Sequence, residues 1–248
     1  MVDPVTVEVV RCATVFIAEE MGVVLRRTAY SPNIRDRMDL SCAVASPRGE
    51  VVAQAEHIPV HLGSMVVGVA STLRCLEERG IELYEGDVVV VNDPYVAGTH
   101  LNDVMLLKPV YHGGRLVAYV VNKAHHVDVG GLAPGSMSWD ARSLYEEGVV
   151  IEPVKLVEEG KLVRELLDWL LSRVRAPRYT KGDLMAQLAA LNVGERGVRE
   201  LVERYGVDTV LEAWEETLSY VERYTRRRLR EAPRASYEAL DYLSLIHI

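Results

Sequence analysis

The spacing of apolar residues changes twice along the chain. Val9, Ala13, Phe16, Ile17, Met21, Val24 and Leu25 recur at helical spacing. Asp3-Pro4 ahead of them supplies an N-cap and a first-turn proline. One long amphipathic helix is therefore expected, ending at Arg26-Arg27-Thr28, with Ser31-Pro32-Asn33 as a turn. From residue 40 to about 155 the apolar runs shorten to strand length. Residues 40–45 and 50–54 read as a hairpin around Pro47-Arg48-Gly49. Residues 55–63 read as a loop, because Pro59 argues against a regular helix there. An amphipathic helix follows at 64–79, stopped by Gly80. Residues 88–91, 104–111 and 116–121 read as three strands, the last two joined at Gly113-Gly114. A short apolar run at 149–151 reads as a further strand. Helical spacing returns at 162–174, 183–205 and 208–230. Gly194 and Gly197 weaken the second of these helices, and Asp208 is expected to cap the third.

The pattern predicts a mixed α+β chain. An N-terminal helix packs on a central, mostly antiparallel β region, and a helical C-terminal third follows. The expected division falls at residue 160, with residues 161–243 as the helical region.

Composition narrows the function classes. The chain has 248 residues and a formal net charge of −8, which disfavours nucleic-acid binding. The basic run Arg226-Arg227-Arg228 sits in a helical pattern with acids nearby and reads as a solvated face. Cys12, Cys42 and Cys75 form neither a CxxC pattern nor a disulfide framework. No basic-then-apolar leader opens the sequence, and no apolar run approaches membrane-spanning length. A cytoplasmic protein with no membrane or nucleic-acid partner is expected.

Four of the seven histidines fall between residues 87 and 131. If Gly113-Gly114 is a two-residue turn, strict pairing sets Asp103 opposite Ala124 and Leu101 opposite His126. Paired residues lie about 5 Å apart. His100 and Asp103 on the outgoing side then meet His125, His126 and Asp128 on the return. Strict register puts His126 on the face of Asp103, and a one-residue slip or bulge puts His125 there instead. Two imidazoles and a carboxylate suit Mn, Fe, Zn or Co without selecting one. Each of these residues alone is more readily a hydrogen-bonded core or surface group, so it is their convergence that points to a metal. His57 and His61, four apart, and the adjacent pair Glu146-Glu147, a possible source of a general base, are further candidates. No GxxxxGK[ST] loop and no strand-linked GxGxxG occurs.

GTHLNDV at 98–104 and AHHVDVGG at 124–131 resemble the paired signatures of the hydantoinase B/oxoprolinase family. RRTAYSPNIRDRMDLSCAV at 26–44, AQAEHIPVHLGSM at 53–65 and NDPYVAGTH at 92–100 resemble it too. The resemblance implies one divalent metal (Mn, Zn or Fe) on His100, Asp103 and His125, and makes residues 1–160 the metal-bearing part. His126, Asp128, His57, His61 and Glu147 are then candidates for the lining and catalytic groups. It also implies ATP-dependent hydrolysis of a small cyclic amide, with ATP and Mg²⁺ held by a hydantoinase A-type subunit in a hetero-oligomer. Two alternatives are a subunit of an ATP-dependent acetone or acetophenone carboxylase and a non-catalytic metal-stabilised scaffold. Members of the family are longer, so residues 244–248 are expected to be a non-native tail on the N-terminal part of a longer architecture.

Overall fold

The computed structural model describes residues 2–55, 57–232 and Glu238. The tail at 244–248 lies outside them. Helix α1 (Pro4–Thr28) begins where the sequence requires, with the Asp3 carboxylate accepting the Val5 and Thr6 amides. Its buried face is Val10, Thr14, Ile17, Ala18, Met21 and Leu25. Val9 and Phe16, expected on that face, stand exposed.

After α2 (Pro32–Arg35), strands β1 (Leu40–Ala45) and β2 (Val51–Gln54) form the first hairpin. Helix α3 (Pro59–Glu78) begins inside the stretch expected as a loop. Pro59 occupies its first turn, where a missing amide costs nothing, so the proline starts the helix instead of forbidding it. By length and apolar content α3 could span a bilayer, contrary to the reading of the raw sequence. Its inner side, Met65 and Val69, packs on the sheet.

Strand β3 (Val88–Val91) is followed by the long hairpin of β4 (Asp103–His112) and β5 (Arg115–His125). Its turn is Gly113-Gly114, at φ 59° and 78°. Two consecutive positive φ values are the two-residue turn that only glycine adopts freely. A short helix α4 (Leu144–Glu147) leads to β6 (Val154–Glu158) and β7 (Lys161–Leu162). The run at 149–151 is not a strand. Instead Asn92 takes up its backbone, accepting the Ile151 amide and donating to the Val149 carbonyl.

Among the described residues the strands run β2-β1-β5-β4-β3-β6-β7, and every pairing is antiparallel. This bears out the α+β reading. Helices α5 (Arg164–Leu171), α6 (Pro177–Tyr205) and α7 (Val207–Glu231) follow the sheet. Gly206 is the N-cap of α7, and Asp208 pairs with Arg115 instead of capping.

Period-two alternation sends the strands' side chains to two cores. Leu40, Cys42, Val44, Leu106, Val120 and Ala124 face α1 and α6, in the cluster that also contains Trp214 of α7. Ala43, Ala45, Met105, Leu107 and Val121 face α3. The glycines of α6 are contact points. A Cβ on Gly194 would run into Met21 Sδ, and one on Gly182 into the Tyr30 ring.

Candidate metal centre

The hairpin carries one irregularity, and it decides the site. His112 pairs with Arg115 and Tyr111 with Leu116, but Val110 pairs with Ala118. Val117 is thus an extra residue on β5, a bulge that advances the register by one. Asp103 consequently sits opposite His125 rather than Ala124. Strict pairing would have delivered His126. The bulge delivers His125 and turns His126 toward α6.

Asp103 is 1% exposed. Its Oδ1 lies 2.7 Å from His125 Nδ1 and 3.2 Å from His61 Nε2. Its Oδ2 accepts the His100 backbone amide at 3.0 Å and lies 3.2 Å from His100 Nδ1. The His100 and His125 rings meet edge to face, centroids 5.9 Å apart. Three histidines from three segments therefore converge on one carboxylate: the β3–β4 loop, α3 and β5.

Asp39 is the fourth segment's contribution. It directly precedes β1, and its carbonyl accepts the His125 amide at 3.0 Å. Its Oδ1 stands 3.7 Å from His61 Nε2. Met38 just before it has φ 57°, an uncommon conformation for a non-glycine residue that costs on the order of 1 kcal/mol or more. Two triads, His100–Asp103–His125 and Asp39–His61–Asp103, each bring one ligand atom per residue within 4.8 Å of the others. Either donor set could hold a divalent ion. His100 is the open side, with its side chain 58% exposed.

Burial opposes the charge on Asp103, but the bonds from His100, His125 and His61 outweigh it and hold its carboxyl far below the usual range. The bond to Asp103 raises His100 against partial burial, with Glu147 and Asp39 adding to the pull. Lys123, fully buried on β5, is pushed down to about 8 by burial, with Asp103 opposing.

The remaining sequence candidates are distributed around this cluster. Glu147 ends α4, near enough to His100 to act on its charge. Asp128 is a loop anchor: its oxygens accept the Gly130, Gly135 and Arg175 amides and pair with the Arg175 guanidinium. His126 is buried, bonded through Nε2 to Gln187 at 2.9 Å, and lowered by burial. His57 packs its ring on Gly22 of α1, and burial lowers it as well. The structure brings His61, His100, Asp103 and His125 together, and leaves His57, His126 and Asp128 outside that group.

Sequence reasoning missed Asp39 and Lys123. A signal existed for both. A lysine inside the apolar run of β5 is anomalous. Asp39 lies on the Asp103 face as soon as β1 is paired beside β5, since Leu40 sits opposite Ala124.

A family model described as hydantoinase B/oxoprolinase matches residues 3–248. The chain is 54% identical over 241 residues to an uncharacterized protein of Methanocaldococcus jannaschii, covering 97% of this chain and 43% of that protein. It is 38% identical over 243 residues to caprolactamase subunit beta of Pseudomonas jessenii, covering 98% of this chain and 41% of that subunit. A crystal structure of the ATP-dependent caprolactamase from Pseudomonas jessenii superposes with a TM-score of 0.84 at 37% identity, covering 94% of this chain and 40% of that one. The chain thus spans less than half the length of these relatives.

Proposed function

The chain belongs to the hydantoinase B/oxoprolinase family, and on that premise we propose that it is the metal-holding part of an ATP-dependent enzyme that hydrolyses small cyclic amides. The observation that carries the reading is the convergence of His61, His100 and His125 on the buried Asp103 carboxylate. Imidazole and carboxylate donors at this spacing fit Mn, Zn or Fe. His100, Asp103 and His125 would hold the ion, while Asp39 belongs to the neighbouring triad with His61 and Asp103. When bound, the ion would polarise an amide or phosphoryl oxygen, or lower the pKa of a bound water.

The chain's own groups have distinct tasks. Without the ion, Asp103 orients both imidazoles through separate oxygens. The exposed side of His100 leaves the approach for substrate. Glu147, whose charge acts on His100, is the candidate proton acceptor at that approach. His61 braces Asp103 from the helix side. His126 and Asp128 hold the β5 end and its following loop in place and take no proton from substrate.

Opening an unactivated amide demands stabilisation of the developing oxyanion. ATP is assigned to a hydantoinase A-type partner in a hetero-oligomer. The caprolactamase relative is a beta subunit, and the caprolactamase whose crystal structure superposes is ATP-dependent; both support that assignment. The test combines this chain with such a subunit, ATP and Mg²⁺, and follows ADP release beside ring opening of a hydantoin, 5-oxoproline and caprolactam. Ring opening is expected only when all components are present. Ring opening by the chain without ATP would refute the mechanism. Carboxylation of acetone when acetone and bicarbonate are added to the same mixture, with no ring opening, would refute the substrate class.

A further inference from the structure

Lys123 is tied to both peptide segments that deliver histidines to Asp103 from outside the hairpin. It stands two residues before His125 on β5, between Met105 of β4 and Ser41 of β1. Period-two alternation puts its side chain on the face of Asp103 and His125. The side chain is fully buried. Its Nζ donates to Ser64 Oγ at 2.8 Å and to the Ala97 carbonyl at 2.8 Å. Ser64 lies three residues after His61 on α3, and its hydroxyl donates to the His61 carbonyl at 3.1 Å. Ala97 lies three residues before His100.

Both acceptors are neutral, and that sets Lys123 apart. Lys108 and Lys155, the other largely buried lysines among the described residues, pair with the carboxylates of Glu195 and Asp87. A buried ammonium is costly to desolvate, and a methionine of similar shape would fill the same space without that cost. Packing alone therefore does not require a lysine. What the ammonium adds is direction, with two hydrogen bonds from one atom to two chain segments. Gly68 completes the arrangement. A Cβ there would lie 2.9 Å from the Ala97 carbonyl oxygen, so only glycine lets α3 approach the loop closely enough for Lys123 to reach both.

We propose that Lys123 is a positioning residue for the metal centre: its ammonium fixes α3 and the 93–100 loop on the sheet, and so sets where His61 and His100 stand relative to Asp103 and His125. The proposal rests on the metal reading above for its consequence, but the clamp itself exists without the ion. The test uses Lys123→Met in the full chain with two readouts. The first is hydrogen exchange in metal-free protein at the amides of Val96, Ala97 and His100, which bond to Asp93 and Asp103. These are expected to exchange about tenfold faster or more in the variant, with α6 unchanged. The second is affinity for Zn²⁺ alone and Mn²⁺ alone, expected to fall about 10–100-fold. Ser64→Ala, which removes one acceptor, is expected to shift both readouts in the same direction by less.

Unchanged exchange at the three amides, or a uniform rise across the whole protein, would overturn the proposal. Unchanged metal affinity beside locally faster exchange would also overturn it, because the clamp would then not position the ligands. If Lys123→Met does not fold, Gly68→Ala pushes the Ala97 carbonyl off Nζ from the other side, and the same outcomes apply. A wild type that binds neither ion refutes the metal reading, and the exchange result then judges the clamp on its own.

Discussion

Replacing Asp103 by asparagine separates the structural role of its carboxylate from its charge. The shapes match, so no cavity forms. The amide oxygen of the substituted side chain can take the place of Oδ2 and still accept the His100 amide, which lies 3.0 Å away. The new NH₂ then faces His125 Nδ1 at 2.7 Å and His61 Nε2 at 3.2 Å. Each imidazole can present a lone pair by changing tautomer. The network thus survives as neutral bonds, which are about half as strong as charge-assisted ones. The weakened bonds from the three histidines predict a loss of about 2 kcal/mol in metal-free protein. For a chain of this size that is a fall of roughly 4–8 °C in Tm.

The loss should depend on pH, with a definite sign. His100 is raised in the folded state by Asp103. Its contribution is present below the unfolded value near 6.5 and disappears as pH rises through the folded value. Asp103 is lowered, so its contribution is present above the unfolded carboxylate value of about 3.9 and is lost only in stronger acid. Both are present at pH 5.5, and that of His100 is gone well above neutrality. Urea unfolding of metal-free wild type and Asp103→Asn at pH 5.5 and 9 should give the larger gap at pH 5.5. Equal gaps, or a larger one at pH 9, would refute the electrostatic account of the cluster.

Two further outcomes follow from packing and burial. Gly182→Ala drives a Cβ into the Tyr30 ring; a cost of about 2 kcal/mol is expected in denaturant melts, and an unchanged midpoint would contradict the α6 packing. His126 is lowered by burial, so it costs stability as pH falls below about 6.5, where the unfolded chain binds the proton; His126→Leu, destabilising at pH 8 because Gln187 loses its partner, should therefore narrow its deficit at pH 5, and a widening deficit would be the contrary result.

Much of the fold was legible because it rests on local signals. Asp3-Pro4, the short apolar runs from 88 to 121 and Gly113-Gly114 each specify their element without help from the rest of the chain. The site was legible up to one residue of register. Whether His125 or His126 meets Asp103 depends on the bulge at Val117, and nothing in a run of β-branched and small residues marks where a strand takes in an extra one. Pro59 was ambiguous for a similar reason, since the same residue breaks a helix interior and begins a helix. Gly194 and Gly197 look like weak points within a helix until Met21 and Ile17 are seen against them. Asp39 needed the pairing of β1 with β5, a contact between strands about eighty residues apart in sequence.

Elemental analysis of the purified chain, beside His100→Ala and His125→Ala, tests the central claim most directly. The wild type should carry close to one Mn, Zn or Fe per chain, and each variant should lose most of it while keeping its fold by circular dichroism. Wild-type protein without a transition metal even after incubation with Mn²⁺ or Zn²⁺, or variants with undiminished metal content, would contradict it.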